Sequence, residues 1–261
     1  MPVVPEVVEG TASFTVPSTT SGTTGMSYSF VQTGLGAGTT FYYKVVAIVE
    51  AGQSTGVTGN VSTLVGATYY WTGATGGNWN TFANWNTAAD GTGTIPAAWD
   101  NSDIYVIDGE GTTLGGALSI VVDRTSFTIG QIRIIGNTNL TLASSATTTR
   151  TITILGGPNE DFLLEAGSTL NLTSATNAIA FVFTGSGNAG IIGGTYIASG
   201  STSNVINSTG GSGTLVVVAS TGSVISSMNS SSATLVGSMP TLRFENGSNY
   251  NHAASTTVNY I

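Results

Sequence analysis

Paired carboxylates are the residues of this 261-residue chain whose types and spacing come nearest to a catalytic or metal-binding site. Asp100 and Asp103 lie three positions apart, and Glu160 and Asp161 are adjacent. Two carboxylates across a glycosidic bond can hydrolyse it, and clustered carboxylate oxygens suit calcium. Both pairs fall in predicted turns without a neighbouring basic residue, so we expect solvated turn carboxylates. A calcium ion at Asp100 and Asp103 is kept as an alternative, beside an Asx turn in which Asp100 precedes the strand from Ile104.

The sequence lacks the residues that other common catalytic and metal sites require. The chain has no cysteine, which excludes a thiolate zinc site, and its one histidine is His252. Gly193-Gly194 is not followed by the Lys-Thr/Ser of a phosphate loop, and the one lysine, Lys44, lies far from the carboxylates. We therefore predict no catalytic residue and no cofactor. A glycan-degrading β-helix enzyme remains the third hypothesis.

The charge balance limits the classes of partner. Only 7% of the residues are charged, with 13 acidic against five basic residues and a formal net charge of −8. Phosphate-binding grooves and anionic membranes both require clustered Lys and Arg, so neither nucleic acid nor a membrane surface is an expected partner. The apolar runs are too short for a membrane span, which needs about 20 residues. We expect an extracellular protein whose partners are glycans or other surfaces.

All four tryptophans lie between residues 71 and 99, and their clustering has two interpretations. Trp71, Trp79 and Trp85 could cover the open end of a β-structure, where large rings would shield apolar core and strand edges. Trp79, Trp85 and Trp99 could instead form a platform on which sugars stack, with nearby asparagines as hydrogen-bonding groups. We favour the cap and keep a carbohydrate-binding module as the second hypothesis.

From about residue 104 the sequence consists of short alternating strands separated by Gly, Asn and Ser turns. Such a periodic array of strands predicts an all-β solenoid with roughly 18 to 25 residues per turn of the coil. A β-sandwich is the competing fold. The side chains predicted to form the apolar ladder along the axis are Ile132, Ile134, Leu140, Leu142, Ile152, Ile154, Leu170, Leu172, Phe181, Phe183, Val216 and Val218.

Residues 1–64 carry a pattern of their own. Two alternating stretches, Ala12–Val16 and Ser27–Val31, are followed by Gly38-Thr39 and by Phe41-Tyr42-Tyr43-Lys44-Val45-Val46-Ala47. This segment resembles the C-terminal half of a fibronectin type III domain, in which a Gly-Thr turn leads into a strand of pattern Tyr-x-x-x-Val-x-Ala. The resemblance implies a partial β-sandwich that lacks the early Trp-bearing strand. A generic β-hairpin is the alternative.

Two further motifs carry a second resemblance. The block from Tyr69 to Ile107, with Trp-x-Gly, Gly-x-Trp, Asn-Trp and Asp-x-x-Asp-Ile, and the segment Arg243–His252 with Asn-Gly-Ser-Asn-Tyr-Asn-His resemble large secreted surface proteins of the Bacteroidetes. The resemblance implies a right-handed parallel β-helix whose first turn is covered by the aromatic block. It also implies an adhesin-like role at the bacterial cell surface.

Together these patterns predict three regions and a structural role. Residues 1–64 form the fibronectin type III-like part, 65–103 the Trp-rich linker and cap, and 104–261 a parallel β-helix truncated at its C-terminal end. We expect a stiff stalk or filament that mediates surface attachment. Further segments of the same polypeptide, or neighbouring subunits, are expected at both ends.

Overall fold

The fold is described from a computed structural model, which describes residues 3–6, 40–49, 52–53, 55, 57–62, 66–111, 117–157, 160–174, 176–184, 188–201, 203–209, 214–228 and 241–252. The chain divides into two compact units, Met1–Leu64 and Val65–Ile261. Within the described residues the only helix is a 3-10 turn, Phe82–Asn84. The predicted all-β class is confirmed.

The first unit contains an antiparallel sheet built on one long strand. Its strands are β1 (Val3–Glu6), β2 (Thr40–Val49), β3 (Gly52–Gln53) and β4 (Val57–Ser62). β2 pairs with β1, β3 and β4, and β3 returns along its end, with Ile48 opposite Gln53. The predicted strands Ala12–Val16 and Ser27–Val31 lie outside the described residues.

The second unit is a parallel β-solenoid of about four complete turns, as predicted. Its strands, in chain order, are β5 (Thr68–Trp71), β6 (Gly77–Asn78), β7 (Trp85–Asn86), β8 (Ile104–Asp108), β9 (Ala117–Val122), β10 (Phe127–Ile129), β11 (Gln131–Ile135), β12 (Asn139–Ser144), β13 (Arg150–Ile154), β14 (Phe162–Leu164), β15 (Thr169–Leu172), β16 (Ile179–Phe183), β17 (Ala189–Ile192), β18 (Thr195–Gly200), β19 (Val205–Ser208), β20 (Leu215–Val218), β21 (Ser223–Met228), β22 (Thr241–Phe244) and β23 (Asn249–His252).

Each complete turn gives one strand to each of three sheets. The first sheet has the order β22-β20-β17-β14-β11-β8-β5-β7, the second β23-β21-β18-β15-β12-β9-β6, and the third β10-β13-β16-β19. Pairing is parallel except between β5 and β7. The chain therefore returns to the same sheet once per turn, and every interior strand has a hydrogen-bonded neighbour on both sides.

The register gives several turns that are longer than the sequence predicted. Ile132 pairs with Tyr105 on the preceding turn and with Phe162 on the following one. Phe181 pairs in the same way with Ile152. The two members of each pair are separated in the sequence by more residues than the predicted turn contains. The predicted period of roughly 18 to 25 residues is therefore too short for these pairs, because their corners add residues that belong to no strand. Leu118 with Leu140 and Phe181 with Ile206 have spacings within the predicted range.

The interior of the solenoid is an apolar ladder, formed by the alternate side chains of each strand that point inward. Side chains of a strand point to opposite faces in turn, so one face of each short strand fills the coil. Each side chain predicted for the ladder is at most 1% exposed; these are Ile132, Ile134, Leu140, Leu142, Ile152, Ile154, Leu170, Leu172, Phe181, Phe183, Val216 and Val218. They belong to one contiguous cluster that runs from Trp71 to Val224.

The predicted strand positions agree closely with the observed ones. The sequence predicts strands at Phe127–Ile129, Phe162–Leu164 and Ile179–Phe183, and these coincide with β10, β14 and β16. The sequence also predicts a strand at Ala233–Val236, which lies outside the described residues. Over the part of the chain that the structure covers, no helix is long and apolar enough to cross a membrane.

Candidate functional site: the tryptophan cap and its polar corner

The Trp-rich segment folds back over the first turn of the solenoid. After β5, β6 joins the second sheet beside β9, and Trp79 N donates to the Val121 carbonyl at 2.8 Å. The chain then reverses through the 3-10 turn, and β7 pairs antiparallel with β5, with Trp85 opposite Trp71. An antiparallel strand at this edge occupies the backbone groups that a further parallel strand would use. The first sheet therefore ends here.

Three tryptophans form the interior of this cap. Trp71, Trp79 and Trp85 have no exposed surface. The rings of Trp71 and Trp85 meet edge to face at 5.0 Å, and Trp79 and Trp85 at 4.8 Å. The Trp85 ring also packs 4.8 Å from Tyr105, and its Nε1 donates to the Trp79 carbonyl at 2.9 Å. Rings in this position cover the end of the apolar ladder and offer no accessible face for a sugar to stack on.

Trp99 occupies a different environment from the other tryptophans. It is partly exposed and lies 4.5 Å from the Phe82 ring. The Arg124 guanidinium sits over the Trp99 ring at 5.1 Å and over the Phe127 ring at 4.8 Å. The structure thus separates the three residues of the predicted sugar platform. Trp79 and Trp85 are interior, and only Trp99 reaches the surface.

The two aspartates of the predicted metal site, Asp100 and Asp103, accept hydrogen bonds from the chain at the two ends of the Trp-rich segment. Asp103 is 3% exposed, and its two carboxylate oxygens accept from the backbone N–H groups of Ala67 at 3.1 Å and of Asp100 at 3.0 Å. Asp100 is exposed and accepts from both N–H and hydroxyl of Ser102, at 2.8 and 2.6 Å. This is the Asx turn expected at Asp100. The Asp103 carboxylate thus links Ala67, near the start of the Trp-rich segment, to Asp100, near its end.

Their environments move the pKa values of the two carboxyls in opposite directions. Burial raises the pKa of Asp103, with backbone hydrogen bonds opposing the effect. The Ser102 hydrogen bonds lower the pKa of Asp100. Burial also raises the pKa of Tyr105, and the nearby charge of Asp103 adds to that rise. Asp103 is thus a buried structural acceptor, whereas Asp100 is a solvated anion.

A buried polar column runs along the corner that leads into the first sheet, and sequence reasoning missed it. Each turn of the solenoid contributes one residue to this column. These residues are at most 3% exposed, and they are Asp103, Gln131, Asp161, Asn188 and Thr214. The expectation of solvated turn carboxylates is therefore wrong for Asp103 and Asp161. The recurrence of Asp or Asn directly before a first-sheet strand was the available signal.

Asp161 shows what the column does. Its oxygens accept from Gly157 N at 2.8 Å, from Ala189 N at 2.8 Å and from the Asn188 side chain at 3.0 Å. These bonds satisfy backbone donors of the corner and link one turn of the coil to the next, because Ala189 belongs to the following rung. Asp161 is thereby committed to structure, and Glu160 beside it is partly exposed.

The residues that the structure describes contain no group of three or more His, Asp or Glu side chains arranged to hold a metal ion. Both oxygens of Asp103 and one oxygen of Asp100 accept hydrogen bonds from the chain itself. The contacts of Trp99 with Phe82 and Arg124 make the aromatic surface around Trp99 the candidate site.

Comparison with protein-family models, curated proteins and solved structures finds no match to this chain.

Proposed function

We propose that the chain is a non-catalytic structural and adhesive segment of a secreted or surface-anchored bacterial protein. In this proposal a fibronectin type III-like front part leads into a right-handed β-helix, which acts as a stiff stalk. The adhesin-like role and the extracellular location come from the sequence resemblance.

The observation that supports the proposal is the continuous ladder of parallel strands. Each interior rung hydrogen-bonds to the rung before and after it, as β11 does with β8 and β14. Bending such a stack would stretch backbone hydrogen bonds and open a core that is packed to the density of a solid. A solenoid of this kind suits a load-bearing spacer.

The exterior suits weak contacts with uncharged polymers. Outward positions of the second sheet carry hydroxyl and amide groups, among them Thr141, Thr169 and Asn171. Asn171 already donates to Asn139 on the preceding rung at 2.8 Å. Such rows present many hydrogen-bonding groups without charge, and each single contact is weak.

The state of the carboxylates favours a non-catalytic role. A glycosidase needs a general acid and a second carboxylate facing the substrate. Asp161 and Asp103 instead face the chain, where backbone N–H groups occupy their oxygens. Arg243 and Glu245, the one ion pair among the described residues, lie together on the surface at 3.5 Å.

A bead-attachment assay under flow tests the adhesive role. Beads coated with the intact chain are expected to stay on glass coated with a neutral polysaccharide, whereas beads carrying Ile152→Asp, which breaks the core, are expected to wash off. Thr153→Asp is the matched control, because it adds the same charge on the outward face. Equal retention of intact and Ile152→Asp beads would contradict an adhesive role of the folded solenoid.

A product-release assay on a panel of polysaccharides tests the non-catalytic part of the proposal. No new reducing ends or unsaturated sugars are expected from any polymer. Release of product that disappears in Asp161→Asn would replace the structural role with an enzymatic one.

A further inference from the structure

The surface around Trp99 contains a cation, Arg124, that has no ion-pair partner among the described residues. Arg124 lies in the corner between β9 and β10 and is partly buried. The one ion pair of the described residues involves Arg243 instead. None of the hydrogen bonds within the described part of the chain has an Arg124 N–H group as donor. The neighbouring Asp123 carboxylate accepts from Asn80 N at 2.8 Å.

An unpaired guanidinium in this position is costly. Partly buried charges normally have a partner, because removing them from water is unfavourable. The Trp99 and Phe127 rings offset part of that cost through cation–π contacts at 5.1 and 4.8 Å. The planar N–H groups of arginine remain available, and their geometry matches a carboxylate.

The aromatic neighbours supply the second half of a binding surface. Phe82 and Trp99 are both partly exposed, and their centroids are 4.5 Å apart with an angle of 34° between the ring planes. Aromatic surface of this kind packs against the C–H groups of a sugar ring. A neutral apolar ligand would use the rings and leave Arg124 unpaired, whereas an acidic sugar would use both.

We propose that Phe82, Trp99 and Arg124 form a binding surface for an acidic saccharide whose carboxylate pairs with the Arg124 guanidinium. The sugar ring packs on the exposed parts of Phe82 and Trp99. This site differs from a platform of Trp79 and Trp85, which are interior. It goes beyond the structural role, since it selects one charge class of polysaccharide.

Biolayer interferometry with the full chain and immobilised polygalacturonate tests the proposal. Binding is expected to the polyuronate and to be lost on its fully methyl-esterified form, which keeps the polymer and removes the charge. Arg124→Gln and Trp99→Ala are each expected to weaken binding at least about tenfold. Arg124→Lys keeps the charge, loses the bidentate geometry and should give an intermediate affinity.

Arg243→Gln is the matched control, because it removes the same charge from an exposed position beside Glu245. Its binding should equal that of the unchanged chain. Absence of binding to polygalacturonate, equal binding to the methyl ester, or equal loss in Arg124→Gln and Arg243→Gln would each overturn the proposal. Bead retention on neutral polysaccharide does not depend on this site, so failure here is distinguishable from failure of the adhesive role.

Discussion

A tryptophan side chain can stabilise a fold or bind a ligand, and the accessible surface of its ring decides between the two. Trp79 has no exposed surface and contacts Trp85, Tyr105 and Phe127 at centroid distances of 4.8, 5.4 and 5.5 Å. Trp99 keeps part of its surface. The ring of Trp79 is therefore part of the core, whereas Trp99 keeps surface that a ligand could contact.

The first prediction compares these two tryptophans by alanine substitution. Trp79→Ala should lower the free energy of unfolding by about 3–5 kcal/mol, because it removes a buried ring and leaves a cavity. Trp99→Ala should cost less than half of that. Urea unfolding followed by far-ultraviolet circular dichroism measures both. Equal losses would contradict the assignment of Trp79 to the core and of Trp99 to the surface.

The contributions of Asp103 and Asp100 to the free energy of unfolding should depend on pH in opposite directions. The folded pKa of Asp103 is raised by burial, so its contribution to stability is full below the unfolded value of about 3.9 and is lost as pH rises through the folded pKa. The folded pKa of Asp100 is lowered by Ser102, so its contribution is present above that value and is lost as pH falls through the folded pKa.

The measurement is the difference in unfolding free energy between the unchanged chain and each variant, from urea curves between about pH 3 and pH 7. For Asp103→Asn this difference should decrease as the pH rises, and for Asp100→Asn it should increase. Parallel pH profiles for the two variants would show that their environments do not differ in the way the structure indicates.

At the scale of the element, the corner between β17 and β18 shows how closely successive turns of the solenoid approach each other. Gly193 and Gly194 connect β17 to β18 in the shortest corner between the first two sheets. Both of their N–H groups donate to the Leu164 carbonyl, at 2.7 and 3.1 Å. A Cβ on Gly194 would lie 2.2 Å from the Ser168 carbonyl oxygen of the preceding turn. The glycine pair thus allows two rungs to approach.

Gly194→Ala should therefore lower the free energy of unfolding by about 3 kcal/mol, since backbone atoms of the preceding turn would have to move. Gly76→Ala is the control. Gly76 has a φ of +79° and no atom within 4 Å of the point where a Cβ would lie, so the substitution costs only the left-handed backbone strain of about 1–2 kcal/mol. The melting temperatures of the two variants show which substitution destabilises the chain more. A smaller loss in Gly194→Ala would contradict the close contact.

The strands could be predicted from the sequence because each has its own local pattern. Thr151-Ile152-Thr153-Ile154 alternates, and the structure places Ile152 and Ile154 inside within β13. The length of a turn could not be predicted, because corner residues lack periodicity and differ in number from one turn to the next. The register of parallel strands is fixed by contacts between residues on successive turns, such as Tyr105 and Ile132, which no local pattern encodes.

The candidate site could be predicted only in part, for a related reason. Clustering of tryptophans indicated a special segment, but the burial of Trp79 and the exposure of Trp99 depend on how that segment folds onto β9. Arg124 lies far from Trp99 in the sequence and has no motif around it. Its place over the ring follows from the solenoid, which brings the corner before β10 beneath the cap.

At the scale of the whole solenoid, contacts pass from each rung to the next, and stability should be shared between neighbours. One contiguous apolar cluster extends from the tryptophan cap through successive turns. Ile152 on β13 pairs with Phe127 on β10, and the Phe127 ring lies 5.5 Å from Trp79. A defect in an interior turn is therefore connected to the cap through a single intermediate residue.

Ile152→Asp is expected to lower the free energy of unfolding by more than about 4 kcal/mol, because it places an unpaired carboxylate in the apolar ladder. The destabilisation should extend to the tryptophan cap. Tryptophan emission should therefore shift to longer wavelength as Trp79 becomes exposed to water. Hydrogen exchange should accelerate in β10, β13 and β16 together. Thr153→Asp adds the same charge at the next position, on the outward face, and should leave both signals unchanged. An Ile152→Asp chain that keeps its tryptophan emission while β13 and β16 exchange freely would show that the cap folds independently of the turns below it.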